Sequence, residues 1–343
     1  MCFQPCFGDL VEQDEYTSPK KEISMKKLLV LFFVTTLITL TACGNIGTTP
    51  DQVEEIQPVT PPCSATRGLF WRDITNRDGY IVSVPREINT IVTLGPSKAE
   101  ILVALGFGDR IIAVDRFAYD IVGLGDGVVK EFGIMDPDAE YIVNLMPDII
   151  FVSGPVVNDE SPLAPIVAAG ITVITMPTST TVSGIMEDIR FVAAVMGDYD
   201  AGEGIVEAMQ ADIDEIMQIA ATISEPRKVY FEVAPLFSLG SGTFLNELIE
   251  LAGAINIFAD LEGWIPVSDE VVVELNPDVI LTSTNFLDDP IADIVERPGF
   301  DAINAVQNGD VFRIDTALSN RPTHNITRAL RYIAIATYPE YFK

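Results

Sequence analysis

The sequence predicts an α/β fold: two lobes with central, parallel-rich sheets, joined by a single long helix. Three observations predict it. From Asp78 onward, strand-like and helix-like segments alternate, as in a parallel sheet with crossover helices. One long amphipathic segment, Tyr199–Ile223, interrupts that alternation. Similar motifs recur in the same order on both sides of it.

The long segment places Ile205, Val206, Met209, Ile213, Ile216, Met217 and Ala220 at helical spacing, which gives one apolar face. Asp198 is the expected N-cap, and Asp200 and Glu203 put negative charge in the first turn. About 24 residues at roughly 1.5 Å each make a rod of about 36 Å. It reads as a strut between lobes; the alternative is a long surface helix within one domain. A strut should start near Asp198 and run unbroken through Gly202 and Gly204.

In the first lobe the expected strands are 80–84, 90–94, 111–114, 148–152 and 171–175. The expected helices are 97–105 (capped by Ser97, stopped by Gly106), 138–145, 162–169 and 182–196 (stopped by Gly197). The stretch 116–135 reads as an irregular, glycine-rich loop. In the second lobe the expected strands are 228–233, 255–259, 278–282 and 311–314. The expected helices are 243–252 (stopped by Gly253), 269–275, 289–295, 301–306 and 326–337.

The internal repeat is specific. DAEYIVNLMPDIIFVS (138–153) and SDEVVVELNPDVILTS (268–283) align at an offset of 130, matching Glu140 with Glu270 and Pro147-Asp148 with Pro277-Asp278. Glu100–Gly106 echoes Glu247–Gly253 at an offset of 147. Preserved order on both sides of a long helix favours duplication over chance recurrence.

Ahead of the lobes, Met25 begins MKKLLVLFFVTTLITLTACG. Lys26 and Lys27 form a basic n-region, and 28–40 is an apolar stretch too short for a comfortable membrane span. Leu40-Thr41-Ala42-Cys43 resembles a bacterial lipobox, which implies cleavage before Cys43, lipid on its sulfur and export; the alternative is a signal anchor or an ordinary secretory peptide. The expected organisation is an upstream mis-start (1–24), a lipoprotein signal peptide (25–42), a flexible tether (43–72), an N-terminal α/β lobe (73–197), a connecting helix (198–224) and a C-terminal α/β lobe (225–343). Cys2 and Cys6 fall in the discarded stretch and Cys43 carries lipid. Cys63 is left alone, so the mature chain has no internal disulfide to make.

A formal net charge of −29 argues against nucleic acid and against a polybasic membrane surface. One histidine, His324, makes a His-rich metal site untenable and gives a catalytic triad little to use. The chain has no phosphate-binding P-loop and no Gly-x-Ser-x-Gly elbow. The turn Gly240-Ser241-Gly242-Thr243 offers N–H groups to an anion or is a plain tight turn. No catalytic residue and no metal site is expected, and nothing requires an enzyme.

Loops at the carboxyl ends of parallel strands line ligand crevices. Here they supply Pro96 and Ser97, Arg116, Phe117 and Tyr119, Ser153, Ser241, Trp264 and Arg321, with Phe237 and Phe286 as further aromatics. Together they make a mixed apolar and polar wall for a bulky ligand. Trp264 is the leading ligand-binding candidate, with capping of its lobe's own core as the alternative.

The lipoprotein start, the stretch Ile91-Val-Thr-Leu-Gly-Pro-Ser-Lys-Ala-Glu-Ile-Leu-Val-Ala-Leu-Gly-Phe-Gly-Asp-Arg110, both Pro-Asp segments and the ending 311–339 resemble class III periplasmic binding proteins of ABC importers for ferric siderophores, haem and cobalamin. The resemblance runs from about Asp73 to the C-terminus. It implies two Rossmann-like lobes bridged by one rigid helix, small closure on binding, and a glutamate on each lobe that docks onto permease arginines. By motif those are Glu100 and Glu247, at matching places in the repeated helices; the alternative reading is two exposed helix carboxylates. Two loops depart from the family pattern, Arg116-Phe-Ala-Tyr-Asp120 and Arg321-Pro-Thr-His-Asn325, so the ligand does not carry over. Arg321 either pairs with an anionic siderophore or ties down its own loop.

The expected function is capture of an iron–siderophore complex, with haem or cobalamin next, and delivery to a permease and its ATPase. The protein would be a monomer, held outside the cytoplasm by lipid on Cys43, with no cofactor of its own and no nucleic-acid partner. A secreted α/β enzyme and a surface adhesin are the alternatives from other classes.

Overall fold

The computed structural model describes residues 70–134, 136–154 and 161–342. The expected mis-start, signal peptide, lipidated Cys43 and tether up to residue 69 lie outside the described residues.

Two parallel sheets carry the fold. In the first lobe, β3 (Ile91–Leu94), β4 (Ile111–Asp115), β5 (Val129–Phe132), β6 (Ile149–Ser153) and β7 (Thr172–Met176) run in the order β5-β4-β3-β6-β7. In the second, β8 (Lys228–Glu232), β10 (Ile255–Asn256), β12 (Val279–Thr282) and β13 (Val311–Arg313) run in the order β10-β8-β12-β13. All pairings within these two sheets are parallel. The expected fold class therefore holds.

Side-chain alternation divides each sheet between two cores. Ile91, Ile149 and Phe151 face one way; Val92, Leu94, Ile150 and Val152 face the other. In the second lobe Val229, Phe231, Val279 and Leu281 oppose Tyr230 and Ile280. The inward faces of both sheets join one continuous core, which includes Val206, Met209, Ile213 and Ile216 of the long helix.

That helix spans Tyr199–Ala220, capped by the Asp198 side chain accepting from the Ala201 N–H at 3.1 Å. Its buried residues Gly202, Val206, Met209, Ile213 and Ile216 alternate spacings of four and three, a single stripe. It runs through both glycines without a break. Gly202 has a packing reason: a Cβ there would come within 2.4 Å of the Ala193 methyl in the preceding helix, Val182–Met196. The helix ends at Ala220, three residues short of the expected Ile223, because 221–223 turn away toward β8.

The repeat is geometric as well as sequential. Met146 and Asn276, at equivalent positions, end the helices Ala139–Leu145 and Asp269–Leu275 in left-handed conformation, φ 49° and 46°. Two residues on, Asp148 accepts the N–H groups of Asn89 and Thr90, and Asp278 accepts that of Lys228. Each Pro-Asp thus stops a helix and pins the start of a neighbouring strand.

Four expectations change. Ser97 does not cap its helix; the helix is Pro96–Ala104, with Gly95 at the N-cap and Pro96 in its first turn. The stretch 116–135 holds β5, recruited as an edge strand beside β4. Trp71–Thr75 (β1) pairs with Ile81–Pro85 (β2) as a hairpin, so Trp71 and Arg72 are in a strand rather than in the tether. Phe237–Leu239 (β9) and Trp264–Pro266 (β11) form a small antiparallel ribbon in the second lobe.

Candidate functional site

In a parallel sheet each crossover helix starts at the carboxyl ends of the strands, and the loops there form the binding edge. Three contacts join the edges of the two lobes. Arg321, beyond β13, donates to the Phe117 carbonyl at 2.8 Å and to Asp120 Oδ1 at 2.6 Å. Glu100, in the helix after β3, accepts from Thr323 Oγ1 at 3.0 Å and Asn325 Nδ2 at 2.9 Å. Glu247, in the helix Phe244–Leu251, accepts from the Val182 N–H at 2.6 Å.

The two glutamate contacts are mirror uses of one device. Val182 opens the last helix of the first lobe, and Asn325 is the N-cap of Ile326–Thr337, the last helix of the second. Each carboxylate sits at the N-terminal end of a helix in the opposite lobe, where negative charge is favoured. Burial raises the pKa of Glu100 above the usual glutamate value, against the opposing effects of Thr323, Arg321 and Asn325.

These contacts correct the sequence reading of Glu100 and Glu247. Both are half-buried and bonded across the lobe boundary, so neither is an exposed helix carboxylate. The exposed equivalent pair is Glu140 and Glu270, each in the first turn of a repeat helix. The signal for them was the offset of 130 that matches them.

The ligand-wall candidates divide. Phe117 (55% exposed), Tyr119 (66%) and Trp264 (45%) present open aromatic surface, as does Phe286 (66%). Arg321 ties the turn that carries Phe117 and Tyr119 to the second lobe, through the Phe117 carbonyl and Asp120. Beneath them, wholly buried Asp115 accepts the N–H groups of Gly95 (2.9 Å) and Phe117 (2.8 Å), fixing two loops to each other. Burial raises the pKa of that carboxyl as well. Ser153 is half-buried with Oγ against Gly95, where a Cβ would approach it to 2.0 Å, so only glycine fits. Pro96 is half-buried and Ser97 is buried, which leaves Ser97 little surface for a ligand. Arg116 is exposed and lies beside Gly133.

The turn at Ser241 is a tight turn rather than an anion cradle. Its N–H and hydroxyl both donate to the Leu261 carbonyl, at 2.7 and 2.8 Å, and the Gly240 N–H donates to Gly263. Thr243 then caps the following helix through the Asn246 N–H.

Comparison with known proteins agrees with this architecture. The periplasmic binding protein family matches residues 91–318. An uncharacterized ABC transporter substrate-binding lipoprotein of Bacillus subtilis (strain 168) is 30% identical over 320 residues, 89% of this chain and 95% of that protein. A cobalamin-binding protein of Halobacterium salinarum is 27% identical over 310 residues, covering 87% and 83%. The apo structure of a periplasmic haem-binding protein of Roseiflexus sp. RS-1 superposes with a TM-score of 0.64 at 26% identity, over 74% of this chain and all of the other (100%). With two helix-bridged lobes and this family match, the chain belongs to the periplasmic binding protein family, whose members and relatives here are ligand-binding components of transport rather than enzymes.

Proposed function

We infer that this chain is the extracytoplasmic substrate-binding lipoprotein of an ABC importer, and that it captures a bulky metal chelate between its lobes. Our first choice is a corrinoid such as cobalamin, ahead of haem and of the ferric siderophore that the sequence alone suggested. The observation that carries this order is the makeup of the binding edge. It offers open aromatic faces, while its best-placed cation, Arg321, is engaged by Asp120. Aromatic surface suits a large, weakly charged macrocycle. A strongly anionic siderophore complex needs free cations to offset its desolvation. The relatives that carry cobalamin or vitamin B12 in their names support the same order.

Binding would involve desolvation and stacking, with no bond made or broken. The metal arrives inside its chelator, and the protein supplies no cofactor. Lipid on Cys43 would hold the protein at the membrane as a monomer, supported by the lipobox-like Leu40–Cys43 and by a relative named as a lipoprotein. Delivery requires a permease and its ATPase. Glu140 and Glu270 take over the docking role first assigned to Glu100 and Glu247, because of the two pairs they are the exposed one.

The test is titration of intrinsic fluorescence, from Trp71 and Trp264, with cyanocobalamin, haemin and a ferric hydroxamate siderophore. Saturation by cyanocobalamin is expected. Saturation by the siderophore complex alone would reverse the order, and no response to any of the three would overturn the reading.

A further inference from the structure

Beneath the second lobe's binding edge lies a charged clamp. Glu232 ends β8 and is 1% exposed. Its carboxylate takes four donors: Arg297 Nη1 at 2.6 Å, Arg297 Nη2 at 2.9 Å, the Tyr230 hydroxyl at 2.8 Å and the Leu236 N–H at 3.2 Å. Arg297 is fixed in turn by Asp293 at 2.6 Å and by the Phe300 ring, 5.5 Å below its guanidinium carbon. A bidentate pair of this kind, buried and fully bonded, has one geometry.

What the clamp holds is a strained turn. The Phe237 N–H donates to the Ala234 carbonyl at 2.8 Å, closing a turn with Pro235 second and Leu236 third. Leu236 has φ 54°. The third place of a proline-led turn with positive φ belongs by preference to glycine. A γ-branched residue there is held against its own preference. Two bonds hold it: its N–H reaches Glu232, and its carbonyl accepts from the Val267 N–H at 2.9 Å. A turn needed only to reverse the chain would lose nothing with glycine. Leucine keeps a side chain at the carboxyl end of β8, next to Phe237 and the ribbon that carries Trp264.

We propose that Glu232, locked by Arg297, is a positioning residue of the binding site: it holds Leu236 left-handed so that the turn Ala234–Phe237 presents an apolar contact to the ligand. The proposal rests on the binding-protein reading above. Glu232 itself touches no ligand; it acts through Leu236.

The experiment is a double-mutant cycle on the full mature chain with cyanocobalamin, haemin and ferric desferrioxamine as probes. Kd is measured by tryptophan fluorescence and stability by thermal melting. Leu236→Gly should raise the melting temperature by relieving strain and yet weaken binding at least tenfold. Glu232→Gln should weaken binding by a similar factor, but add under twofold once residue 236 is glycine. Should Glu232→Gln fail to fold, Leu236→Gly alone decides. If the wild type binds a probe and Leu236→Gly binds it equally well, the turn is structural and the proposal fails while the binding-protein reading stands. Additive losses in the double variant would also overturn it. If the wild type binds none of the three, both fall together.

Discussion

The carboxylate of Glu247 accepts the backbone N–H of Val182 at 2.6 Å, reaching from a helix of one lobe to the first residue of a helix in the other. A side chain of the second half of the chain therefore completes a helix of the first half. Glu247→Ala should leave that N–H without its acceptor and cost about 1–2 kcal/mol, while Glu247→Gln, which keeps an acceptor but loses the charge, should cost less. Thermal or urea unfolding of the two variants reads the difference; equal stability of both with wild type would mean that the contact contributes nothing.

Glu100 makes the partner contact, and its dependence on pH has a definite sign. Burial raises its folded pKa above 4.5, Asp120 adds in the same direction, and Thr323, Arg321 and Asn325 oppose. The folded state then holds the proton more tightly than the unfolded chain. The penalty on stability is full above the folded pKa and is relieved as pH falls from there toward 4.5. Glu100→Gln cannot titrate. Melting temperatures measured across that window should show wild type gaining on the variant with acidification. A constant gap would contradict the assignment.

Arg321 and Asp120 span the lobe boundary from partly exposed positions. Arg321→Ala should cost under about 1 kcal/mol of stability, as exposed pairs do. Its larger expected effect is kinetic: with the bridge gone, cyanocobalamin should associate faster in stopped-flow fluorescence. An unchanged association rate would place the bridge away from the ligand's path.

Glu140 and Glu270 give the prediction on transport. Reversing both to Lys should leave Kd for the ligand within twofold and abolish uptake in reconstituted vesicles or cells. Reversing Glu100 and Glu247 should instead lower the melting temperature, because both are bonded across the lobe boundary. Uptake that survives the first pair of reversals would remove them from docking.

Much of the architecture was legible because its signals are local. The helix Val182–Met196 was predicted at its observed bounds with Gly197 as its stop, and Gly197 does end it; the Thr181 side chain, not foreseen, caps its start. Asp269–Leu275 and Ile326–Thr337 matched as well. What was missed depends on distant partners. Phe237–Leu239 is a strand only because Trp264–Pro266 lies beside it. Glu100 looked exposed because its helix says nothing of Asn325, 225 positions away. Arg321 likewise meets Asp120 across 201 positions, so pattern alone left its role open.

The exchanged glutamates have an ancestral consequence. A residue in one half that reaches a helix end in the other, answered by the equivalent residue reaching back, is the signature of an isologous contact between identical subunits. A precursor of half this length, carrying one copy of the repeat, would pair with its twin through these same carboxylates. The long helix would then be the later addition that fused a symmetric dimer into a single gene product, freeing the two halves to diverge wherever the ligand is held.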